Sequence, residues 1–461
     1  MTATFSPDLA EIRFGCGLSP TVAAPGSPAE MIAGLRTPDD MAARFPIDSA
    51  PEWQDWLLRA RGYQKQVRQN RNDLGLVEEF NAAKADMRVT ALRWAARSLL
   101  RWTHSPNGFR ERLVAFWADH FTAIGKNGVF RAGTAPYIED AIRPNIAGSF
   151  GDMLVAVVTH PLMLHYLDQD RSAGPNSRAA ERARRTDGLN ENLAREVLEL
   201  HTLGVNGPYT QTDVRELAEL FTGLGYTYED GFVFRKPYAE PGAEIVLGQS
   251  YGGKAPRLDD ITAALHDIAR HPATAQHIAQ KLAVHFVSDT PDAGLVQALA
   301  RRYGETGGDL TAVYDALLAH PASWVSERVN VKPPADFIAS AWRALAVSPE
   351  AIENLSLRDL RRTLILPLRD MGQPWQAPDG PDGWPEEDSA WLTPQGVSAR
   401  LRWAVSAPPV LCDPLPEPGA FAPVALGQGA VPEAVQFATR AAETPADAIG
   451  LVLAAPAFQR R

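Results

Sequence analysis

Cysteine is scarce in this sequence: Cys16 and Cys412 are the only two among 461 residues. Two cysteines so far apart exclude a disulfide framework and a CxxC metal-binding motif. Such usage is typical of proteins in a reducing compartment. We therefore expect a cytoplasmic protein.

Long apolar runs are missing as well. No stretch of about 20 consecutive apolar residues, the length that a transmembrane helix needs, occurs anywhere in the chain. The opening residues, MTATFSPDLAEIRFG, show neither the cationic leader nor the apolar run of a signal peptide. These absences predict a protein that does not span a membrane and is not secreted by the usual route.

Positive charge is in deficit, since 45 Lys and Arg residues face 55 Asp and Glu residues, a net charge of −10. Nucleic-acid-binding proteins need a positive field to displace phosphate counterions, so this balance argues against a nucleic-acid partner. Two basic segments, 59–71 and 178–185, leave attachment to a membrane surface or a nucleic acid open. A solvated helix face explains them more simply.

Common catalytic motifs are also absent. The chain has no HExxH, GxSxG or Walker sequence and no GxGxxG fingerprint after a predicted strand. Glu199 and His201 are two residues apart, whereas carboxylate-bridged di-iron bundles use Glu-x-x-His, so that type of site is disfavoured.

The apolar periodicity predicts a mainly α, large multi-helix single body that covers residues 1–461. Pro- and Gly-punctuated residues 1–50 read as an N-terminal arm. One small β-hairpin-like insertion is expected near 226–253, and a Trp-, Gly- and Pro-rich loop at 373–391. The tryptophans of that loop need an apolar surface on which to lie.

A predicted helix at 188–203 carries the most polar pattern in the chain. Leu193 and Val197 belong to its apolar stripe, while Asn192, Arg195, Glu196 and Glu199 recur at three- and four-residue steps on another face. Exposed ion pairs explain this pattern, and so does a pocket that binds a polar substrate or a hard cation. In the next helix, Thr210 and Asp213 are predicted to form the N-terminal cap.

Two further residues could join such a pocket. His120 shares an apolar helix stripe with Phe116 and Trp117, which suits either a core histidine or a general base or metal ligand. Asp168 ends a predicted helix at 149–168, just before an Arg-rich loop. It could cap that loop or line the pocket.

Several segments, in this order along nearly the whole chain, resemble the bacterial family known as domain of unknown function 1800 (DUF1800). They are RFGCGLSP, ERLVAFWADHF, GLNENLAREVLELHTLG, HPATAQHIAQKLAVHFVSD, VKPPADFIASAWRAL and MGQPWQAPDGPDGWP. The resemblance implies one family-wide unit and names no reaction.

The family pattern Asn-Glu-Asn-x-Ala-Arg-Glu-x-x-Glu-Leu matches the polar helix, and Tyr-Thr-x-x-Asp-Val matches the segment after it. Because exposed ion pairs contribute under about 1 kcal/mol each, this resemblance favours a buried polar site over surface pairing. Many relatives resemble Trp-His-Asn-His-Phe where this chain has Ala118 and Asp119, and many have Phe at His201. Relatives are often exported and encoded beside a sulfatase-like (DUF1501-type) protein, which implies such a partner.

These considerations predict a hydrolase or group-transfer enzyme that acts on a polar substrate, with a divalent metal ion as a candidate cofactor. The expected catalytic residues are His120, Asp168, Glu191, Glu196 and Glu199. The expected substrate-binding residues are Asn190, Asn192, Arg195, Tyr209 and Asp213, with Arg195 orienting an anionic group. The alternative is a non-catalytic scaffold or accessory protein that works with the sulfatase-like partner.

Overall fold

The computed structural model describes residues 4–70, 73–126, 128–182, 188–429 and 431–461. As predicted, these residues are mainly α-helical. In the first part of the chain the α-helices are Pro7–Leu9, Pro28–Gly34, Asp40–Arg44, Ala50–Gln69, Leu74–His104, Gly108–His120, Thr134–Tyr137, Phe150–Val158, Pro161–Tyr166 and Arg178–Arg182. In the middle they are Asn192–Glu196, Gln211–Leu220, Leu258–Ala269, Pro272–Phe286, Ala293–Thr306, Leu310–Ala319 and Pro334–Ala344.

Shorter helices dominate the last quarter of the chain. The α-helices there are Pro349–Glu353, Leu357–Leu360, Leu366–Asp370, Asp388–Trp391, Pro394–Ser406, Pro408–Leu411, Pro418–Leu426, Glu433–Ala441, Pro445–Ala454 and Pro456–Gln459. The described residues also form 3₁₀ turns at Gly128–Ala132, Arg143–Asn145, Gln169–Arg171, Lys236–Tyr238 and Pro321–Trp324, and π-helical turns at Ala10–Phe14, Ile138–Ile142, Val197–Thr202 and Arg361–Ile365.

The helix predicted at 149–168 is interrupted, so this prediction was wrong in its extent. Pro161 lacks a backbone N–H and therefore cannot continue a helix from the preceding turn. The chain instead starts a new helix there, and Nδ1 of His160 accepts a hydrogen bond of 3.1 Å from the N–H of Leu162.

The helix predicted at 188–203 runs from 192 to 202, and we call it the polar helix. Its apolar stripe is confirmed, because Leu193 and Val197 are fully buried. After Glu196 the turn widens into a π-helix, in which the N–H of Leu203 donates to the carbonyl of Leu198 at 3.0 Å. The wider turn changes the direction of every later side chain, and it places His201 in the interior.

The β segment predicted at 226–253 spans 224–253 and contains two antiparallel hairpins rather than one. The first pairs strands β1 (Leu224–Thr227) and β2 (Gly231–Phe234), and the second pairs β3 (Gly242–Val246) and β4 (Gln249–Gly253). Gly231 and Gly242 have positive φ angles of 69° and 129°, which glycine adopts without the strain of a Cβ atom.

Buried apolar side chains form two clusters. The larger includes Phe116 and Val197, and the smaller includes Trp342 and Trp403 from the last third of the chain. The long helix Leu74–His104 contributes to both clusters and so joins them.

The helix Pro334–Ala344, which we call the buried helix, is buried at every residue. Arg343 extends from it and forms an ion pair of 3.2 Å with Glu11. Its guanidinium also donates hydrogen bonds to four backbone carbonyls, those of Gly17, Trp102, Thr103 and Ser105. A fully desolvated charge is therefore satisfied by the chain itself.

In the described parts of the chain, no helix combines the length and the apolar character needed to cross a bilayer.

Candidate functional site

Arg195 is the centre of a chain of ion pairs along the polar helix. Its guanidinium donates hydrogen bonds to Glu191 at 3.1 Å, to Glu199 at 3.2 Å and to Oε1 of Gln211 at 3.0 Å. The side chains of Arg195, Glu191 and Glu199 are 37, 33 and 25% exposed. These groups satisfy one another at a partly solvated surface, as the surface-pairing interpretation of the sequence expects.

Asn190 holds the chain ahead of the polar helix. Its Nδ2 donates to the carbonyls of Leu167 and Asp168 at 2.8 and 3.0 Å, and its Oδ1 accepts the N–H of Asn192 at 2.9 Å. Asp168 has a positive φ of 55° and forms an ion pair of 2.6 Å with Lys126. Asn190 and Asp168 therefore lie together, in contacts that organise the backbone.

Tyr209 and Asp213 follow the polar helix. The hydroxyl of Tyr209 donates to the carbonyl of Val205 at 3.0 Å. The predicted cap is confirmed, since Thr210 and Asp213 form a reciprocal capping box. Oδ1 of Asp213 also accepts the N–H of Leu247 at 2.8 Å, so this carboxylate joins the helix to the second hairpin and not to the polar helix.

Glu196 differs from the other acids of the polar helix because the guanidinium of Arg195 does not contact it. It is partly buried and lies within electrostatic range of Asp382, an exposed residue of the Trp-rich loop at 373–391. Burial, followed by the carboxylates of Glu199 and Asp382, raises the pKa of Glu196 to about 6. It can therefore change its protonation state near neutral pH.

His120 lies behind the polar helix in a group of three imidazoles, in which His120 and His201 are buried and His277 is partly buried. Its ring is 6.1 Å from that of His201 and 6.2 Å from that of His277. Its Nε2–H donates to the carbonyl of His201 at 3.1 Å, and no described residue hydrogen-bonds its Nδ1. Burial, followed by Lys281 and the other two imidazoles, lowers the pKa of His120 well below its ordinary value, so the ring is neutral.

The Trp-rich loop covers the end of the helix Gly108–His120. The N–H of Trp384 donates a hydrogen bond of 2.9 Å to Oδ1 of Asp119. Gly383, with a φ of 80°, lies so close that a Cβ atom there would meet both carboxylate oxygens of Asp119 at 2.8 Å. Trp391 is buried and Trp375 packs against the smaller apolar cluster, as predicted for this loop.

Asp119 is a site residue that the sequence analysis did not identify. Burial, followed by the charge of Glu386, raises the pKa of Asp119 to about 7, even though Trp384 donates a hydrogen bond to it. Glu386 itself contacts Nδ1 of His285 at 2.9 Å. Burial acts to raise the pKa of Glu386, but His285, Lys281 and Arg112 together outweigh burial and hold it below its ordinary value.

Two hollows adjoin this loop. The inner cavity, of about 150 Å³, has Trp102, Asp119, Trp375 and Trp384 in its walls. The outer cleft, of about 510 Å³, is lined by side chains that include Lys281, Asp379, Asp382, Trp384, Glu386 and Trp391. Trp384 separates the two hollows.

The ten predicted residues therefore do not meet in one pocket. One set forms the surface ion pairs and their surroundings, namely Glu191, Arg195, Glu199 and Tyr209. A second set organises the preceding loop, namely Asp168, Asn190 and Asn192. Glu196 lies within electrostatic range of Asp382 in the Trp-rich loop, His120 is enclosed, and Asp213 joins the second hairpin. No local signal marks Asp119, because its partner Trp384 is 265 residues away.

Metal-ligating side chains converge at a different place. Within the described ranges, the group of three whose ligand atoms all lie within 4.8 Å of one another is Glu216, Glu219 and Glu244. None of these residues belongs to the predicted site.

The basic segments are only partly described. Arg71 and residues 183–187 lie outside the described residues. In the first segment, Arg61 lies 3.6 Å from Glu229 and stacks on the ring of Tyr228 at 4.3 Å.

The family model described as protein of unknown function (DUF1800) matches residues 12–460. The chain belongs to the DUF1800 family. No curated protein and no solved structure is significantly similar to this DUF1800 chain. The match includes the polar helix, the Trp-rich loop and both hairpins.

Proposed function

We propose that this DUF1800 protein is a hydrolase or group-transfer enzyme that acts on a polar substrate bound at the outer cleft beside Asp382. Glu196, which lies within electrostatic range of Asp382, is the proton-transferring group. The supporting observation is that Glu196 is partly buried, is not paired with Arg195 and has a pKa of about 6, whereas Glu191 and Glu199 both form ion pairs with Arg195. A general acid or base works best when its pKa is near the operating pH.

The cleft suggests the kind of substrate. Asp379, Asp382 and Glu386 outnumber Lys281 in its wall, and an excess of negative charge repels a polyanion. The ring of Trp384 offers a flat apolar face on which a sugar-like or cationic group can lie. A neutral or cationic polar substrate therefore fits better than an anionic one, and Arg195, already bound by three acceptors, is not needed to orient it.

Asp119 and His120 support this arrangement in different ways. Asp119 anchors the Trp-rich loop through Trp384, and its pKa of about 7 suits a second proton-transferring group beside the inner cavity. His120 is neutral and enclosed, so we assign it a positioning role, in which it holds the carbonyl of His201.

The test is hydrolysis of chromogenic ester, amide, phosphate-ester and glycoside substrates by the purified chain. We expect activity on one class, with kcat/KM rising as Glu196 ionises near pH 6, and at least a 100-fold loss in Glu196→Gln. Glu191→Gln is the matched control, because it makes the same change at the residue that caps the start of the same helix. Unfolding free energies should match in both variants. Full activity in Glu196→Gln would refute the proposal.

An accessory role with a sulfatase-like partner is the second candidate function. It is favoured by Leu401, Val405 and Leu451, whose 46, 43 and 42% exposure leaves apolar surface on the C-terminal helices. Val405 also lies against Gly450, next to Leu451, so the exposed side chains adjoin. Exposed apolar patches often mark protein interfaces.

Size-exclusion chromatography of the chain mixed with the sulfatase-like protein tests this role. We expect a complex that Leu401→Asp with Val405→Asp abolishes. Leu74→Asp is the control, because Leu74 is 75% exposed and lies on another helix. Absence of any complex would refute the role.

We propose a cytoplasmic location, because Cys16 and Cys412 are both free thiols. Cell fractionation with an antibody to the chain tests it, and recovery in an exported fraction would contradict it.

A further inference from the structure

Two buried arginines share one carboxylate at the start of the buried helix. Asp336 forms ion pairs with Arg112, from the helix Gly108–His120, and with Arg461. Both arginine side chains are buried. One negative charge therefore balances two desolvated positive charges.

Lys332 brings a third cation to the same place. It is buried, and its ammonium donates a hydrogen bond of 3.1 Å to Oγ of Ser340. The ammonium also lies 3.9 Å from the centre of the Phe458 ring. Both contacts are with uncharged groups. Burial, followed by the charge of Arg328, lowers the pKa of Lys332 to about 7.

A small hollow, which we call the basic hollow, lies among these groups and has a volume of about 10 Å³. The charged side chains in its wall are three cations, Arg112, Lys332 and Arg461, and one acid, Asp336. Nε and Nη2 of Arg112 and Nε of Arg461 are buried, and no described residue accepts a hydrogen bond from them. Because buried donors without an acceptor are destabilising, these nitrogens need an acceptor that the described residues do not supply.

We propose that the basic hollow binds one monatomic anion, with chloride as the expected ion. A water molecule would accept hydrogen bonds from the free donors but would leave the excess positive charge uncompensated in the interior, which is costly. A volume of about 10 Å³ admits one water-sized particle, and it excludes phosphate and sulfate, which carry four oxygens. Chloride is slightly larger than water, and a small shift of the flexible Arg112 and Lys332 side chains admits it.

The basic hollow lies where distant parts of the chain meet. Its wall combines the N-terminal arm, the helix Gly108–His120, the buried helix and the last residue of the sequence, through Gly17, Arg112, Ser340 and Arg461. A bound anion therefore stabilises the packing of these parts. The three cations line neither of the hollows at the Trp-rich loop, so the site is independent of the proposed activity.

The experiment is thermal unfolding of the full chain in sodium gluconate, with sodium chloride replacing gluconate at constant ionic strength. A ligand that binds only the folded state stabilises that state increasingly as its concentration exceeds Kd. We expect Tm to rise by at least about 1 °C between zero and about 200 mM chloride. Sodium bromide should give the same rise, and sodium acetate, whose anion is too large for the hollow, should not.

Lys332→Met should abolish the chloride-dependent rise, because it removes one cation from the wall while keeping the length of the side chain. Lys254→Met is the control, since Lys254 is exposed and its substitution changes the net charge equally. It should keep the wild-type rise. The measured quantity is the response to chloride, so a difference in basal stability between the two variants does not affect the comparison.

Anomalous scattering from wild-type crystals grown in sodium bromide locates the ion without any substitution. We expect a bromide peak in the basic hollow, beside Arg112 and Lys332. Equal Tm in gluconate and chloride, an equal chloride response in Lys332→Met, or a water molecule in the hollow in place of bromide would each overturn the site.

Discussion

Asp119 accepts a hydrogen bond of 2.9 Å from the backbone N–H of Trp384, 265 residues further along the chain. This contact ties the Trp-rich loop to the end of the helix Gly108–His120, and Gly383 permits the approach because it has no side chain. The shape of both hollows therefore depends on one close contact between a carboxylate and a loop.

The first prediction concerns Gly383→Ala. At a φ of 80°, a Cβ atom would be strained and would also meet the carbonyl oxygen of Asp119 at 2.7 Å. We expect a loss of about 1–3 kcal/mol in unfolding free energy and a change in tryptophan fluorescence as the loop moves. Urea unfolding and emission spectra measure both.

The control for this prediction is Gly372→Ala in the same region. Gly372 has a φ of 98°, but nothing lies within 4 Å of its Cβ position, so that variant carries backbone strain without the clash. Equal losses in the two variants would show that the contact with Asp119 does not matter.

The second prediction concerns the pH dependence of Asp119. Its pKa is about 7 in the folded protein, against 3.8 for an ordinary Asp, so the folded state holds the proton more tightly. The resulting stabilisation is complete below about pH 4 and is lost as the pH rises through 7. Asp119→Asn should lack this loss, which we expect to be on the order of 2 kcal/mol.

Urea unfolding at intervals between pH 4 and 8 measures the difference between Asp119→Asn and the wild type. Asparagine can still accept the N–H of Trp384, so the loop should remain in place. Asp259→Asn, which alters a side chain that is 78% exposed, is the control and should follow the wild-type curve. Parallel curves for Asp119→Asn and the wild type would contradict the prediction.

The third prediction concerns His201, whose two ring nitrogens have no hydrogen-bond partner among the described residues. Burial, followed by Lys281 and His277, lowers the pKa of His201 to about 3. A lowered pKa gives stability that is present above about pH 6.5 and is lost as the pH falls towards 3. His201→Phe should remove this acid sensitivity and add about 1 kcal/mol at pH 7, because buried polar atoms without partners are destabilising.

Thermal and urea unfolding at pH 7 and pH 4.5 compare His201→Phe with the wild type. His266→Phe is the control, since the His266 side chain is 27% exposed. A loss of stability in His201→Phe at pH 7 would mean that the imidazole has a partner, such as an ordered water, in the folded protein.

The fourth prediction contrasts two arginines. Arg195→Gln breaks partly exposed pairs and should cost less than about 1 kcal/mol. Arg343→Gln leaves Glu11 buried without its partner and should cost about 3–5 kcal/mol. Urea unfolding at pH 7 compares them directly. Similar costs would indicate that the ion pairs of the polar helix are buried in solution.

Local features of this chain could be predicted from sequence, because a few neighbouring residues determine them. The apolar stripe through Leu193 and Val197 and the cap formed by Thr210 and Asp213 are both confirmed. The two hairpins at 224–253 were predicted as one, because the β-type runs 231–235 and 244–248 are separated by Pro and Gly, a pattern that predicts pairing between them. In the structure each run pairs instead with another strand.

Two kinds of feature could not be predicted. The π-helical turn at Val197–Thr202 departs from the spacing of 3.6 residues per turn on which the helix pattern relies, so the inward position of His201 had no signal. The contact of Asp119 with Trp384, like the group around Glu244, joins residues whose proximity depends on tertiary packing. The polar helix was therefore predicted from the sequence, but the contact between Asp119 and Trp384 was not.

The buried helix has a consequence for how the protein forms. Arg343 finds its partners Glu11 and Gly17 at separations of 332 and 326 residues, and such distant contacts must overcome a large loop-closure entropy. During synthesis, Glu11 and the carbonyl of Gly17 remain without the guanidinium of Arg343 until that residue leaves the ribosome. We therefore expect the native core to be completed late in synthesis, and the nascent first half of the chain to be most in need of a chaperone before that point.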